Sequence, residues 1–200
     1  MTEGSIKTIE IINDYKFHGR NREVPKRALM RRTTPPVIVK VPDQVLRETA
    51  KKVSSIDQGV KTLIDEMINA LQSQEAPEGV GLAAPQIGVS KRIFVAKVGK
   101  HIVTFINPRI VSLSEEKEEL LEGCLSLPKY YGTLKRATSV TIEGLSLAGK
   151  KIRRTYKGFS ARIMQHEMNH LDGILYVDHV LSQKGKMFEV QGEELREVKL

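Results

Sequence analysis

The 200-residue sequence contains a single cysteine, Cys124. One cysteine cannot form an intrachain disulfide, so we expect the chain to work in a reducing compartment, the cytoplasm. No apolar run approaches the ~20 residues of a membrane-spanning helix, and residues 1–32 lack the apolar block of a secretory signal. These residues contain four acids and one serine, which argues against an organellar transit peptide. The sequence therefore predicts a cytoplasmic protein without a membrane partner.

Acidic side chains are almost missing from residues 129–157, where eight Lys and Arg residues face Glu143 alone. The net charge of the whole chain is +8. A basic segment of this kind favours contact with the ribosome or another polyanion, although a solvated lysine-rich face has the same composition. We expect no sequence-specific binding to DNA.

The length and composition are those of one globular domain with extensions. Residues 1–32 show no sustained hydrophobic period and end before TTPP at 33–36, so we interpret them as an N-terminal extension that could be flexible. We expect the catalytic domain to span residues 33–180. Residues 181–200 are polar, with four basic and four acidic residues, and we expect a tail helix there.

The local patterns predict an α+β fold. Short β-branched runs predict strands at 92–98, 101–111 and 139–147. Start signals and three- to four-residue apolar spacing predict helices at 41–53, 59–76 and 160–173. Because the strands are not separated by regular helices, we expect short antiparallel sheets packed around a central late helix, with an N-terminal helix and the tail helix outside.

The late helix contains QHEMNHLDG at residues 165–173. His166 and His170 are four residues apart, so their imidazoles lie on one helical face, and Glu167 is placed between them. An H-E-x-x-H sequence on a helix is moderately specific for a metal site. The remaining circumference is largely apolar, which predicts that this metal-binding helix is central and buried.

The third ligand is open on the residues alone. Tyr176 stands where the longer zinc-protease pattern has a third histidine, so that pattern is excluded. A downstream glutamate would complete a His₂Glu zinc peptidase; the candidates are Glu189, Glu193 and Glu194. The other candidate is Cys124, upstream.

Two further segments contain features of a catalytic site. In EGCLSLP (122–128), Gly123 permits close backbone approach beside Cys124, and the Leu125 N–H is free to stabilise an oxyanion. GVGLAAPQIG (79–88) lacks the residues of a phosphate loop. Its glycines instead suggest a backbone that passes close to a neighbouring group, and the Gln86 side chain adds an amide donor.

GVGLAAPQ, EGCLS and QHEMNHLDG, in this order and at this spacing, closely resemble peptide deformylase from about Pro42 to about Val180. The resemblance implies a metallohydrolase that removes the formyl group from the N-terminal formyl-methionine of new polypeptides. It implies that Cys124, His166 and His170 bind one divalent ion, foremost Fe²⁺ with Zn²⁺ or Ni²⁺ as alternatives. Glu167 then matches the general acid/base, and Gln86 and the Leu125 N–H match the oxyanion donors.

The resemblance also implies a set of residues that bind the substrate: Gly79, Val80, Gly81, Leu120, Gly123, Arg162 and Ile163. Glu122 and Arg136 match an ion pair near the cysteine.

Three positions depart from the family pattern. Asn169 stands where an aspartate is usual, Arg162 where an aliphatic residue is expected, and Tyr131 where many members have a basic residue that holds the peptide. These departures bear on substrate preference rather than on metal chemistry. Two other functions compete with a deformylase: the zinc peptidase with a downstream glutamate, and a non-catalytic ribosome-binding protein that uses the basic segment.

Overall fold

The computed structural model describes residues 35–74 and 78–199, so the predicted extension at 1–32 lies outside the described residues. The described strands are β1 (Gly81–Ala83), β2 (Ile93–Val98), β3 (His101–Leu113), β4 (Lys117–Cys124), β5 (Leu127–Ala137), β6 (Ser139–Leu145), β7 (Lys151–Lys157), β8 (Met187–Gln191) and β9 (Glu194–Val198). The described helices are α1 (Gln58–Gln72), α2 (Gly158–Leu171) and α3 (Tyr176–Gln183), with 3₁₀ turns at Gln44–Arg47 and Ala84–Ile87.

The strands form two antiparallel sheets. One has the order β1-β2-β3-β6-β7 and the other the order β4-β5-β8-β9. The predicted mixture of helices and antiparallel sheets is confirmed, and the strands predicted at 92–98, 101–111 and 139–147 correspond to β2, β3 and β6. Strands β4 and β5 escaped prediction because their sequences, KEELLEGC and LPKYYGTLKRA, do not alternate cleanly between apolar and polar residues.

Strand β2 is buried on both faces. Ile93 and Val95 belong to a core cluster with α1, whereas Phe94 and Ala96 belong to a second cluster with α2. Alternate residues of a strand point to opposite faces, so the five-stranded sheet is covered by one helix on each side. This explains why IFVA is a continuous apolar run rather than an alternating one.

Helix α2 also contacts β5 of the second sheet, and α3 contributes Tyr176 and Val180 to a smaller core with Leu134 and Met187. Helix α2 therefore packs against both sheets. Within the described ranges, no helix combines the length and apolarity needed to cross a membrane.

The predicted tail helix at 181–200 is wrong. After α3 the chain forms the hairpin β8–β9, with Gly192 at a positive φ of 63° in its turn. Strand β8 pairs with β5 from Gly132 to Tyr130, and the Met187 side chain is buried. Among residues 187–198 only Met187 is buried, which accounts for the polar sequence of this hairpin.

The predicted helix at 41–53 is also wrong beyond its first turn. Asp43 does cap a start, accepting a hydrogen bond from the Val45 N–H at 3.0 Å, but only a 3₁₀ turn follows. The next residues are held extended by tertiary bonds: Ala50 N–H donates to the Leu171 carbonyl and Lys51 N–H to the Ser90 carbonyl. These long-range bonds replace the helical ones.

Asn107 fixes this extended segment to β3. Its side chain accepts from the Val53 N–H and donates to the Val53 carbonyl, both at 2.8 Å, while its φ is +50°. We expect Asn107→Ala to lower the free energy of unfolding by about 2–4 kcal/mol, because two hydrogen bonds are lost and alanine is strained at this φ.

Chemical denaturation measures the effect, with Asn107→Gly as the matched control. Glycine loses the same two bonds but adopts the positive φ freely. The glycine variant should therefore be the more stable of the two, and equal stabilities would contradict the contribution of backbone strain.

Candidate metal centre

Helix α2 ends at a glycine that two constraints require. Gly173 has a φ of +71°, its N–H donates to the His170 carbonyl, and the Ile174 N–H donates to the Asn169 carbonyl at 2.9 Å. This is the double hydrogen bond of a Schellman cap. A Cβ at Gly173 would also lie 2.6 Å from the Arg47 carbonyl oxygen. The cap ends α2 directly after the turn that contains His170.

The side chains of Cys124, His166 and His170 converge; we call them the Cys–His–His triad. The Nε2 atoms of the two histidines are 3.1 Å apart, and the Cys124 Sγ lies 3.2 Å from the His170 Nε2. All three ligand atoms lie within 4.8 Å of one another. Ligands of one tetrahedral ion are roughly 3.3–3.7 Å apart, given typical bond lengths to nitrogen and sulfur. The two measured distances are within a few tenths of an ångström of this range, so the triad can hold a single metal ion with a small shift of its side chains.

Cys124 reaches this position through an irregularity in its strand. The register between β4 and β5 shifts between Gly123 and Cys124, and a bulge of this kind redirects the residues beside it. Glu122 lies two residues earlier and contacts His166 of α2. Strand β4 therefore supplies both the sulfur and a carboxylate to α2.

Glu122 is the centre of a buried charge cluster. Its Oε1 lies 2.6 Å from the His166 Nδ1, and Arg136 donates to both oxygens at 2.6 and 3.1 Å. Burial opposes ionisation, but the hydrogen bond and charge of His166 and the charge of Arg136 outweigh it, so the pKa of Glu122 lies well below its usual range. The carboxylate holds the His166 ring with Nε2 facing the triad.

Arg162 is part of the same cluster. Its guanidinium donates to the Glu122 Oε2 at 3.1 Å and to the backbone carbonyls of Glu118 and Leu134. Only 6% of the side chain is exposed. The guanidinium is therefore turned towards β4 and β5. The aliphatic stem is then the part of the side chain that is free to contact apolar neighbours.

Glu167 is buried beside the triad. Its Oε2 has no hydrogen-bond partner among the described residues, and burial raises the pKa of this carboxyl to about 8. A Cβ on Gly81 would lie 2.2 Å from the Glu167 Oε1, so only glycine leaves room for the carboxylate. A buried carboxyl with a raised pKa is suited to exchange protons.

Gln86 faces the triad from the other side. Its Oε1 accepts from the Ala83 N–H at 2.8 Å, which fixes the orientation of the amide. Its Nε2 then points to the Cys124 Sγ at 3.5 Å and to the Ser126 hydroxyl at 3.3 Å. A donor is thus held next to the thiolate, whose pKa lies well below its usual range because both histidines outweigh burial.

The other predicted site residues lie in β4, in α2 and in the two residues before β1. Val80 and Ile163 pack in the core cluster of α2, and Leu120 is partly buried in β4. Gly79 lies against the end of α1, where a Cβ would be 2.9 Å from the Leu71 Cδ1. Gly123 lies against the Tyr131 ring, where a Cβ would be 2.6 Å from the Cε1 atom.

The downstream glutamates do not join the triad. Across the ranges that the structure describes, the triad is the one group of three or more His, Cys, Asp or Glu residues placed to bind a metal. Glu189 lies in β8 and accepts from the Tyr130 hydroxyl at 3.1 Å, while Glu193 and Glu194 lie at the turn of the hairpin. The peptidase alternative is therefore not favoured.

Sequence reasoning missed several polar contacts behind the triad. The Asn169 Oδ1 accepts from Arg136 at 2.5 Å and from the His179 Nε2 at 2.9 Å, and the Ser126 N–H donates to the Cys124 Sγ at 3.4 Å. The two bonds to Asn169 join residues that the tertiary fold brings together, so no local pattern predicts them. The Ser126 bond depends on the turn that follows Cys124.

Comparison with known proteins decides the family. The model of the polypeptide deformylase family matches residues 35–186. The chain belongs to the polypeptide deformylase family. The assignment made from three short motifs is confirmed, and the function predicted from it, that of a peptide deformylase, is supported over its two alternatives.

Individual deformylases cover the same region. The peptide deformylase of Dehalococcoides mccartyi strain CBDB1 is 45% identical over 167 residues, which are 80% of this chain and 97% of that protein. The crystal structure of the Thermotoga maritima peptide deformylase is 37% identical, with a TM-score of 0.69 over 73% of this chain and 97% of that one. A Synechococcus elongatus peptide deformylase in complex with actinonin has a TM-score of 0.70 at 34% identity, over 80% of this chain and 87% of that one.

The buried charge cluster should contribute to stability through Arg162. Arg162→Met keeps the length of the stem but removes the hydrogen bonds to the carbonyls of Glu118 and Leu134 and one cation from Glu122. We expect a loss of about 2–4 kcal/mol in the free energy of unfolding. Arg153→Met is the matched control, since that side chain is 62% exposed and lies 3.3 Å from Glu143.

An exposed pair contributes about 0–1 kcal/mol, so the control should unfold almost as the parent does in denaturant. Equal losses in the two variants would show that the Arg162 guanidinium is not held in the cluster.

Proposed function

We propose that the Cys–His–His triad is the metal centre of this deformylase, that α2 is its central metal-binding helix, and that the site removes the formyl group from the N-terminal formyl-methionine of new polypeptides. The observation that supports this most directly is the convergence of three separate motifs. Cys124, the two histidines of α2, Glu167 and Gln86 meet in one buried place although they come from three distant segments.

A divalent ion held by Cys124, His166 and His170 would supply Lewis acidity and would lower the pKa of a water molecule. The chain supplies proton transfer: Glu167, held against Gly81, accepts the proton of the attacking water and delivers it to the leaving amine. The Gln86 Nε2 and the Leu125 N–H donate to the formyl oxygen as negative charge develops there. A donor of this kind contributes about 10²–10³ in rate.

The position of β1 suggests how the peptide binds. This strand is at one edge of the five-stranded sheet and pairs with β2 on one side. An extended peptide can add to such an edge through main-chain hydrogen bonds, which gives Gly81 a role in binding. Val80, Leu120, Ile163 and the aliphatic stem of Arg162 would line the pocket for the methionine side chain.

The identity of the ion is a matter of chemistry and supply. A site with one thiolate and two imidazoles binds Zn²⁺ at least as well as Fe²⁺ by intrinsic affinity, so iron occupancy would reflect availability. We propose Fe²⁺ as the working ion, with Zn²⁺ or Ni²⁺ as alternatives.

The proposal of ribosome contact through residues 129–157 stays a prediction, as does the cytoplasmic location. Strand β7 presents exposed cations at Lys151, Arg153, Arg154 and Lys157. Arg136, in contrast, is buried against Glu122, so the segment offers a smaller basic surface than its composition indicates.

Glu167→Gln should keep the metal and lower formate release from a formyl-Met peptide by about 10²–10⁴-fold, the usual contribution of a general acid/base. The measurement is turnover at equal metal content, with protein purified without oxygen. Asp65→Asn, an exposed change on α1, is the control and should keep full activity. Near-normal turnover of metal-loaded Glu167→Gln would remove Glu167 from the reaction.

Activity should decay in air if the working ion is Fe²⁺. Ferrous iron and the Cys124 thiolate are both open to oxidation, whereas Zn²⁺ has no redox chemistry. We expect protein reconstituted with Fe²⁺ to lose turnover on exposure to oxygen. Protein reconstituted with Zn²⁺ should have the same turnover before and after that exposure. An enzyme that is fully active with Zn²⁺ and purifies with it under nitrogen would exclude iron while leaving the triad intact.

A further inference from the structure

Residues 39–41 lie between the segment that contains Gln86 and the segment that contains Ser126, and they are bonded to both. The Val39 N–H donates to the Gln86 carbonyl at 2.8 Å, and the Val41 N–H donates to the Ser126 carbonyl at 3.0 Å. The residue between them, Lys40, is thereby fixed at its backbone on both sides. Its ammonium group donates to the Leu125 carbonyl at 2.6 Å.

The amide that receives the ammonium group also bonds to the cysteine. The Leu125 carbonyl and the Ser126 N–H belong to the same peptide unit, and that N–H donates to the Cys124 Sγ at 3.4 Å. A charged donor at a carbonyl oxygen polarises the amide and makes its N–H a stronger donor, because hydrogen bonds in a chain reinforce one another. Two hydrogen bonds therefore connect the Lys40 ammonium group to the Cys124 sulfur through a single peptide unit.

We propose that Lys40 is a positioning residue that strengthens the Ser126 N–H bond to the Cys124 sulfur, draws electron density from it and so makes the thiolate a weaker donor to the metal. A weaker donor leaves the ion more electron-poor and better able to polarise a carbonyl. The inference rests on the proposed metal centre. It assigns a function to Lys40, which lies near the start of the described residues and outside the three motifs.

Two features make this bond a lasting one although the Lys40 side chain is exposed. Ser126 is fully buried, so the acceptor amide cannot turn away, and the backbone bonds at Val39 and Val41 place the lysine stem over it. The other donor to the sulfur, the Gln86 Nε2, is required by the formyl oxygen during the proposed reaction. The Ser126 N–H is then the donor that the sulfur keeps.

The test uses Co²⁺-substituted protein, whose sulfur-to-cobalt charge-transfer absorption reports how strongly the thiolate donates. Lys40→Met removes the cation at constant length, Lys40→Gln is a second neutral variant, and Lys40→Arg restores the charge. Lys61→Met, an exposed change on α1, is the control. We expect the charge-transfer band to lie at lower energy in both neutral variants than in the parent protein. In Lys40→Arg and in the control it should lie at the energy of the parent.

A second readout needs no metal. In metal-free protein, the amide proton of Ser126 should move upfield in the NMR spectrum of Lys40→Met and return in Lys40→Arg. Turnover of a formyl-Met peptide should fall in kcat by up to about 10-fold with KM nearly unchanged, the low end of the effect of groups that bond to a metal ligand.

A folded neutral variant with an unchanged band and an unchanged Ser126 proton overturns the proposal, even where its thermal stability is lower, since Lys40 would then be only a tether. Absence of the charge-transfer band in the parent protein overturns the metal centre itself, and this proposal with it. The two failures are thus distinguishable.

Discussion

The buried carboxylate of Glu122 is the constraint on which the site depends. It joins β4 to α2 through His166, and β5 to both through Arg136. A carboxylate out of water is stable only where donors surround it, and here Arg136, Arg162 and His166 do so. Cys124 follows two residues later on the same strand, so the cluster that neutralises Glu122 also sets the distance from the sulfur to the histidines.

The two sheets make this arrangement possible by enclosing α2. The five-stranded sheet covers one side of the helix and β5 contacts it from the second sheet, so the H-E-x-x-H face is removed from water. Burial is what raises the pKa of Glu167, and Gly81 in β1 leaves the space in which this carboxyl lies. The same glycine is thus required by packing before any substrate is considered.

Prediction from the sequence succeeded where the signal was local. Helices α1 and α2 and strands β2, β3 and β6 follow from apolar spacing and β-branched runs, and Gly173 marks the end of α2. It failed where a partner decides the conformation. Residues 48–53 are extended because they bond to α2, β3 and the Ser90 region, and residues 187–198 form strands because β5 offers an edge. Neither partner is visible in a short window of sequence.

The sequence by itself determined the family and singled out the residues of the triad and Glu167, because these residues lie in compact motifs with characteristic spacing. The tertiary structure alone decided what stands behind them. The turn of Arg162 towards Glu122, the bonds of Asn169 to Arg136 and His179, and the contact of Lys40 with the Leu125 carbonyl join residues 10 to 85 positions apart. Hydrogen bonds of that range depend on how sheets and helices pack, so no local pattern encodes them.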